Sequence, residues 1–284
     1  MLSSRRLSIW LTLFCITFTM ARSQTHATVV ADSVYSARTA GHLKFNVLLP
    51  AGYREGHGHY VTLYLLHGFG GGPNDWIAHS GLVTYAAAYP FIIITPDAKN
   101  SWYTNAPDRK SNYEDCIIKD LIPYVDEKYR TMHTRHGRAI AGLSMGGYGA
   151  MKFAVKYPQL FFYGASFSGA LYAPLGYRPD NSAISRSLHA AFGEKRSDHW
   201  TRNNVITLLD SVPTAALPYL YISNGARDSF PRIIENNREL AEKLRSKDAL
   251  YEYHELPGAH NWTFWDKEIA TLLQKLSTFD RSKP

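Results

Sequence analysis

Short runs of β-branched and aromatic residues alternate, along most of the chain, with segments whose apolar side chains recur every three or four positions. This alternation is typical of a mainly parallel sheet covered by helices on both faces. Eight runs predict strands: ATVVADSVYS, LKFNVLLP, YVTLYLLH, FIIITPD, GRAIAGLS, FYGASFSG, PYLYISNG and YEYHELPG. Because no helical segment separates the first two runs, they predict an antiparallel edge of the sheet.

Five helical segments connect or flank these strands, at residues 74–88, 113–129, 145–157, 233–246 and 263–279. The stretch 172–212 is rich in Pro, Gly, Asn and Ser, and its irregular pattern predicts an insertion over one edge of the sheet. We find no internal repeat, low-complexity tract or linker that divides the chain. Residues 24–284 are therefore predicted to form a single α/β domain.

The first 23 residues have the pattern of a secretory signal peptide. Arg5 and Arg6 precede the apolar stretch 9–21, which ends in the small-x-small sequence ARS. This stretch is shorter than the roughly 20 residues that a membrane-spanning helix needs, so no membrane span is predicted. The protein is expected to be secreted or periplasmic, with a retained amphipathic anchor as the alternative.

Charge and cysteine content narrow the class of protein further. Without residues 1–23, which hold three arginines and no acidic residue, 28 basic residues stand against 24 acidic ones and are scattered rather than clustered. A nucleic-acid partner is therefore not expected. Cys15 lies in the predicted signal peptide and leaves Cys116 alone, which excludes an internal disulfide. Because the apolar neighbours of Cys116 recur at helical spacing, its thiol is predicted to pack in the core.

One short segment has the pattern of an exposed nucleophile. In AIAGLSMGGY, an apolar strand pattern ends at Leu143 and a helical pattern begins at Met145. Gly142, Ser144 and Gly146 fit G-x-S-x-G, a sharp turn that raises a strained serine above a sheet at the positive end of a helix. Glycines suit this turn because side chains would collide with neighbouring elements. Ser144 is the candidate nucleophile, and a plain glycine-rich loop is the alternative.

A serine hydroxyl needs a base, and the base needs an acid that orients it. The chain order typical of this serine turn is Ser, acid, His, which places both partners late in the chain. His260, in the loop after the last predicted strand, is the candidate base, and His254 inside that strand is its rival. Asp228, just past the strand PYLYISNG, is the candidate acid. Asp210 and Asp248 lie in or beside helical patterns and are more simply surface charges.

The same chemistry needs backbone N–H donors for a tetrahedral oxyanion. One donor should be Met145, directly after the nucleophile. The second is expected from LLHGFGGGPNDW, whose glycines let the backbone bend inward after the strand, and Phe69 is the candidate. A phosphate-binding P-loop is excluded because no GKS or GKT follows, and the Rossmann fingerprint is absent as well.

Together these segments resemble the esterase D-like branch of the α/β-hydrolases, which includes tributyrin and acetyl esterases, feruloyl and acetylxylan carbohydrate esterases, S-formylglutathione hydrolases and mycolyltransferases. The resemblance rests on YLLHGFGGGPNDW, PDAKNSWYTNAP, YEDCIIKDLIPYVDEKY, AGLSMGGYGA, SNGARDSF and GAHNWTFW. It implies the α/β-hydrolase fold and assigns the nucleophile, acid and base to Ser144, Asp228 and His260. The family's oxyanion donors fall on Phe69 and Met145.

The resemblance also implies residues of the substrate cleft. KNSWYTN matches the family's loop beside the nucleophile, so Asn100, Ser101 or Trp102 is expected to line the cleft. Trp262, two residues after His260, is expected nearby, and plain packing is the alternative for both tryptophans. The chain departs from S-formylglutathione hydrolases because FGGG stands where they carry a cysteine after the HG pair, and because it begins with a signal peptide. A glutathione thioester is therefore not an expected substrate.

These observations predict a secreted serine carboxylesterase for short-chain or aromatic acyl esters that needs no cofactor. Acetyl or feruloyl groups on carbohydrates are included on the resemblance and predicted export alone. An acyltransferase of the mycolyltransferase type is the alternative, and a catalytically silent carbohydrate-binding protein is a third. No metal is expected, because His57 with His59 and His133 with His136 have no third ligand nearby. The oligomeric state is left open.

Overall fold

A computed structural model describes residues 27–54, 56–175, 180–193 and 197–281, so the predicted signal peptide, residues 1–23, lies outside the described residues. The strands are β1 (Thr28–Ser36), β2 (Gly41–Leu49), β3 (Val61–Leu66), β4 (Phe91–Pro96), β5 (Arg138–Leu143), β6 (Tyr163–Phe167), β7 (Tyr219–Gly225) and β8 (Tyr251–Leu256). They form one sheet in the order β1-β2-β4-β3-β5-β6-β7-β8.

The first two strands form the predicted antiparallel edge. β1 pairs with β2 from Thr28 opposite Leu49 to Ser36 opposite Gly41, and β2 is also antiparallel to β4. All pairings among the remaining strands are parallel. The sheet confirms the eight-stranded, mostly parallel arrangement predicted from the sequence.

Helices cover both faces of the sheet. Within the described residues they are α1 (Asp75–His79), α2 (Leu82–Ala86), α3 (Tyr113–Cys116), α4 (Ile122–Lys128), α5 (Met145–Lys156), α6 (Ala183–Phe192), α7 (Asp198–Thr201), α8 (Val205–Ser211), α9 (Pro231–Ser246) and α10 (Trp262–Thr278). Because side chains alternate along a strand, Leu63 and Leu65 of β3 join one apolar cluster, and Tyr64 and Leu66 join the other. α1, α2 and α10 pack on the first cluster, and α3, α5, α8 and α9 pack on the second.

Cys116 lies in the second of these clusters. Its side chain is fully buried and forms no disulfide. Burial raises the pKa of the thiol above its ordinary value, which keeps it protonated and unreactive. The predicted core packing of Cys116 is confirmed.

The segment 74–88, predicted as one helix, contains two short helices instead. Ser80, which follows α1, is extended, with φ −138° and ψ 169°. The N–H of Gly81 donates to the carboxylate of Asp266 at 2.7 Å, so it does not continue the helical ladder. This partner lies in α10 and could not be read from the local pattern.

The segment 113–129 is helical as predicted but widens in its middle. Between α3 and α4, residues Ile117–Leu121 form a π-helical turn. Pro123 has no N–H to donate, and its ring would clash with the carbonyl of Lys119 in a regular α-helix. The wider turn relieves this conflict.

The stretch 172–212 is more regular than its composition predicts, because it contains α6, α7 and α8. Polar residues start two of these helices: the Ser182 hydroxyl accepts from the N–H of Ser185, and the Asn204 side chain accepts from the N–H of Ile206. The Ser and Asn content that suggests a loop therefore includes helix caps. Helix α8 of the insertion packs against α5, and the insertion supplies part of the site described below.

No helix among the described residues is long and apolar enough to cross a membrane.

Candidate active site

Ser144 stands at the sharp turn between β5 and α5. Its backbone is left-handed, with φ 52° and ψ −114°. A Cβ atom on Gly142 would lie 2.4 Å from the backbone of Gly146, and a Cβ on Gly146 would lie 2.5 Å from the carbonyl oxygen of Leu66. Only glycine fits at either position, and this close contact between β3, β5 and α5 holds the strained serine above the sheet.

The structure brings Ser144, His260 and Asp228 into one line of hydrogen bonds. The Nε2 atom of His260 lies 3.0 Å from Ser144 Oγ, and its Nδ1 atom lies 2.9 Å from Asp228 Oδ2. The other carboxylate oxygen of Asp228 accepts the N–H of Phe230 at 2.9 Å. Nδ1 is assigned as the protonated nitrogen, because a carboxylate can only accept, and Nε2 is then free to accept the serine proton.

The imidazole of His260 is held from both sides. The ring of Phe230 meets it edge to face at 4.9 Å between centroids, and the ring of Trp265 does so at 5.0 Å. The side chain of His260 is 11% exposed and that of Asp228 is fully buried. The pair is therefore oriented by packing as well as by hydrogen bonds.

The rival residues lie in other hydrogen-bond networks. His254 Nε2 is 2.8 Å from Glu252 on the same strand. Asp210 pairs with Lys243, and Asp248 is exposed after α9. Within the described residues, none of these three rivals contacts Ser144 or His260.

The two expected oxyanion donors come from the loop after β3, whose Phe69 lines the same cleft as Ser144, and from the first residue of α5, Met145. Within the described chain, the N–H groups of Phe69 and Met145 have no acceptor. The buried His67 supports this loop, since its Nδ1–H donates to Gly68 at 2.8 Å and its Nε2 accepts from Ala98 at 3.1 Å. Burial lowers the pKa of His67, and the neutral ring can therefore accept the Ala98 N–H.

Asn100 lies outside the cleft that the sequence analysis assigned to it. Its side-chain oxygen accepts the N–H of Gly70 at 2.7 Å, so it supports the loop that carries Phe69. Lys99 is left-handed, with φ 52°, and this turn points the amide of Asn100 toward Gly70. Ser101 and Asn100 line a separate cavity instead.

A cleft of about 250 Å³ opens at Ser144. It is lined by Gly68, Phe69, Asp75, Trp102, Leu143, Ser144, Ala170, Tyr172, Ile184, Phe230, Ile233, His260, Trp262 and Trp265. Trp102 and Trp262 are the two expected tryptophans, and Trp102 Nε1 also donates to Ser187 of the insertion at 2.9 Å. Trp265 was not predicted from the sequence, although its spacing of three from Trp262 puts both on one side of α10.

A buried ammonium group connects α5 to the loop before the cleft. The Nζ atom of Lys152 donates to Tyr103 O at 2.7 Å, Thr104 Oγ1 at 2.8 Å and Asn203 Oδ1 at 3.3 Å, and lies 2.9 Å from Glu114 Oε2. The side chains of Lys152 and Glu114 are 0% and 3% exposed. This network joins α5, the loop that contains Trp102, and the insertion.

The Glu114 carboxylate is expected to make the stability of the folded chain depend on pH. Burial alone would raise the pKa of Glu114, but the ammonium groups of Lys152 and Lys156 outweigh it and lower the pKa to about 2. The unfolded chain, with the ordinary value of 4.5, then binds more protons than the folded chain between pH 2 and 4.5. Glu114 should therefore contribute stability that is complete above pH 4.5 and lost as the pH falls toward 2.

Denaturant unfolding of wild type and Glu114→Gln at several pH values between 2 and 6 measures this contribution. The free energy of unfolding of the wild type should fall more steeply below pH 4.5 than that of the variant. Parallel curves for the two proteins would contradict the assignment. Because other carboxylates titrate in both proteins, the difference between the curves isolates Glu114.

The histidine pairs show no metal centre in the described part of the chain. No group of three or more His, Cys, Asp or Glu side chains is arranged there to hold a metal ion. The rings of His59 and His133 meet edge to face, with centroids 6.2 Å apart, so residues of the two sequence motifs pack together.

Residues 36–276 match the Esterase family, described as "Putative esterase". The chain belongs to this family, and the resemblance to the esterase D-like α/β-hydrolases is confirmed. It is an esterase, an enzyme that hydrolyses carboxylic esters.

Three curated relatives have named activities. An acetyl esterase of Caldicellulosiruptor saccharolyticus is 28% identical over 76% of this chain and 83% of its own length. Esterase Rv1288 of Mycobacterium tuberculosis is 29% identical over 76% of this chain, but the match spans 52% of that protein. Feruloyl esterase B of Neurospora crassa is 32% identical over 61% of each chain.

Among solved structures, the substrate-bound fluorophosphonate-binding serine hydrolase F of Staphylococcus aureus has a TM-score of 0.80 to this chain. It is 23% identical, and the match covers 89% of this chain and 99% of that one. This likeness shows the fold, an α/β-hydrolase sheet with helices on both faces.

Proposed function

We propose that the protein hydrolyses short-chain and aromatic acyl esters through a Ser144-His260-Asp228 triad. The observation that carries the proposal is the unbroken line of hydrogen bonds from Ser144 Oγ through the imidazole to a buried carboxylate, at 3.0 and 2.9 Å. Such an arrangement supplies a base for the nucleophile and a countercharge for the imidazolium that forms.

In the proposed reaction, Ser144 Oγ attacks the ester carbonyl while His260 Nε2 takes its proton. The N–H groups of Phe69 and Met145 stabilise the oxyanion, and Asp228 holds the imidazole and stabilises its cation. The protonated His260 then gives its proton to the leaving alcohol, and the acyl group remains on the serine. A water molecule, deprotonated by the same imidazole, releases the carboxylic acid.

The size and lining of the cleft support the substrate range. Its volume of about 250 Å³ lies just below the usual range of ligand sites, which is about 300 to 1,000 Å³. Trp102 and Phe230 give it flat apolar walls that suit a short acyl chain or an aromatic ring. Relatives named acetyl esterase and feruloyl esterase support the same choice of a short or an aromatic acyl group. A carbohydrate as the alcohol rests on these relatives and on the signal peptide proposed for residues 1–23, which would export the enzyme.

A panel of esters tests the substrate range. We expect hydrolysis of p-nitrophenyl acetate, p-nitrophenyl butyrate and methyl ferulate, and a kcat/KM at least about tenfold lower for the p-nitrophenyl ester of a twelve-carbon acid, because the cleft cannot enclose it. Comparable rates along the whole series would contradict the proposed range. Product analysis with an added sugar distinguishes the acyltransferase alternative, since transferred ester would then exceed free acid.

A further inference from the structure

The cleft has two chemically different ends, one on each side of Ser144. Trp102, Ala170 and Ile233 belong to the apolar cluster on one face of the sheet, and they make one end mainly apolar, although Tyr172 also lines it. The other end is formed by α1 and α10, whose residues Trp262 and Trp265 belong to the cluster on the opposite face. Asp75, in the first turn of α1, lies at this second end.

Asp75 carries the negative charge of the cleft. No lysine or arginine is among the described lining residues, and His260 is already committed to Ser144 and Asp228. Within the described residues, the carboxylate of Asp75 accepts no hydrogen bond and forms no ion pair. A half-buried carboxylate without a protein partner is available to a group of the substrate.

The surroundings of Asp75 fix where its carboxylate lies. A Cβ atom on Gly71 would stand 1.9 Å from Asp75 Oδ2, so the carboxylate packs directly on the Cα of that glycine. Gly71 is in the same loop as Gly68 and Phe69, which line the cleft with Ser144, and its N–H donates to the carbonyl of Gly68 at 3.2 Å.

We propose that Asp75 is a specificity-determining residue that disfavours esters with an anionic group at this end of the cleft and favours neutral esters that offer a hydrogen-bond donor. The inference rests on the proposed esterase function. Two carboxylates in one small cleft repel each other where water screens them poorly, whereas a hydroxyl or amide donor satisfies the free oxygens of Asp75.

Two matched substrate pairs test this proposal. For the alcohol side, 4-acetoxybenzoate carries a carboxylate and 4-acetoxybenzamide replaces it with a neutral amide. For the acyl side, monomethyl adipate and its primary amide differ in the same way. Asp75→Asn keeps the shape of the side chain and removes its charge. We expect the variant to raise the anionic-to-neutral ratio of kcat/KM at least about fivefold in at least one pair at low salt, which is the effect of like charges about 4 Å apart even when bulk water screens them.

Salt and a control variant make the outcome specific. The gain should shrink in 0.5 M NaCl because exposed charges are screened there. Asp248→Asn is the matched control, since it removes the same charge from a left-handed position before β8, at the edge of the sheet away from the cleft. Asparagine tolerates that backbone conformation. The anionic-to-neutral ratios of kcat/KM for Asp248→Asn should therefore stay within twofold of wild type.

Ratios within twofold of wild type in both pairs for Asp75→Asn would overturn the proposal. An equal fall in kcat/KM for all four esters would also overturn it, because that result assigns Asp75 a structural role in α1. If the wild type hydrolyses none of the four esters or p-nitrophenyl acetate, the proposed function fails instead, and this outcome is distinct from an unchanged ratio.

Discussion

Replacing Ser144 with alanine should lower kcat for p-nitrophenyl acetate by at least about a thousandfold, because the oxyanion donors and binding residues that remain supply only the residual catalysis seen when a triad member is removed. The variant should fold normally, since the hydroxyl contributes one hydrogen bond at a half-buried position. Initial rates with purified protein measure the loss, and a fluorophosphonate probe should label wild type but not the variant.

The same measurement on His260→Ala, and on the variant that combines it with Ser144→Ala, shows whether Ser144 and His260 act as one unit. Each single variant should lose about as much activity as the double variant, since the serine is a poor nucleophile without its base. His254→Ala is the matched control and should keep at least half of the wild-type rate, because its imidazole contacts Glu252 rather than the site. Wild-type turnover by Ser144→Ala would refute the triad.

Replacing Lys152 with methionine should lower the free energy of unfolding by about 3 kcal/mol, because it removes a buried cation and leaves its partners unsatisfied. Glu114 would keep Lys156 and Tyr157, whereas the oxygens of Tyr103 and Thr104 would lose their donor. Denaturant or thermal unfolding measures the change, and a loss of this size corresponds to a fall of roughly 5 °C in Tm for a chain of this length.

Lys156→Met is the matched control for this variant. The Lys156 side chain is 30% exposed and contacts the same carboxylate, so water can replace much of what it loses. We expect a loss below about 1 kcal/mol for it. Equal losses for the two variants would show that burial of the Lys152 ammonium adds nothing. Lys152→Met combined with Glu114→Gln should recover part of the stability, because it removes both charges.

The sheet and the line from Ser144 to Asp228 were accessible from sequence because local signals define them. Buried parallel strands appear as continuous apolar runs, and the serine turn needs glycines at Gly142 and Gly146 whatever surrounds it. The order of the chain then indicated which late loops carry the base and the acid, which led to His260 and Asp228 rather than to their rivals. The catalytic roles of these residues remain predictions until they are tested.

Contacts between distant segments account for what the sequence did not show. The break at Gly81 depends on Asp266, 185 residues away, and the Lys152 network joins segments 38 to 51 residues apart. The sequence predicted that Asn100 lies near the site, but it did not show the contact with Gly70, because that contact depends on the left-handed turn at Lys99. No local pattern contains these partners.

The hydrogen bond from Trp102 to Ser187 means that two segments far apart in the chain together form one wall of the cleft. The 172–212 insertion lies between β6 and β7 and takes no part in the pairing of these strands. Exchange of α6 for a helix of different shape would therefore reshape this wall of the cleft, whereas Ser144, Asp228 and His260 lie outside α6. The insertion is the natural place to engineer a new substrate preference into this enzyme.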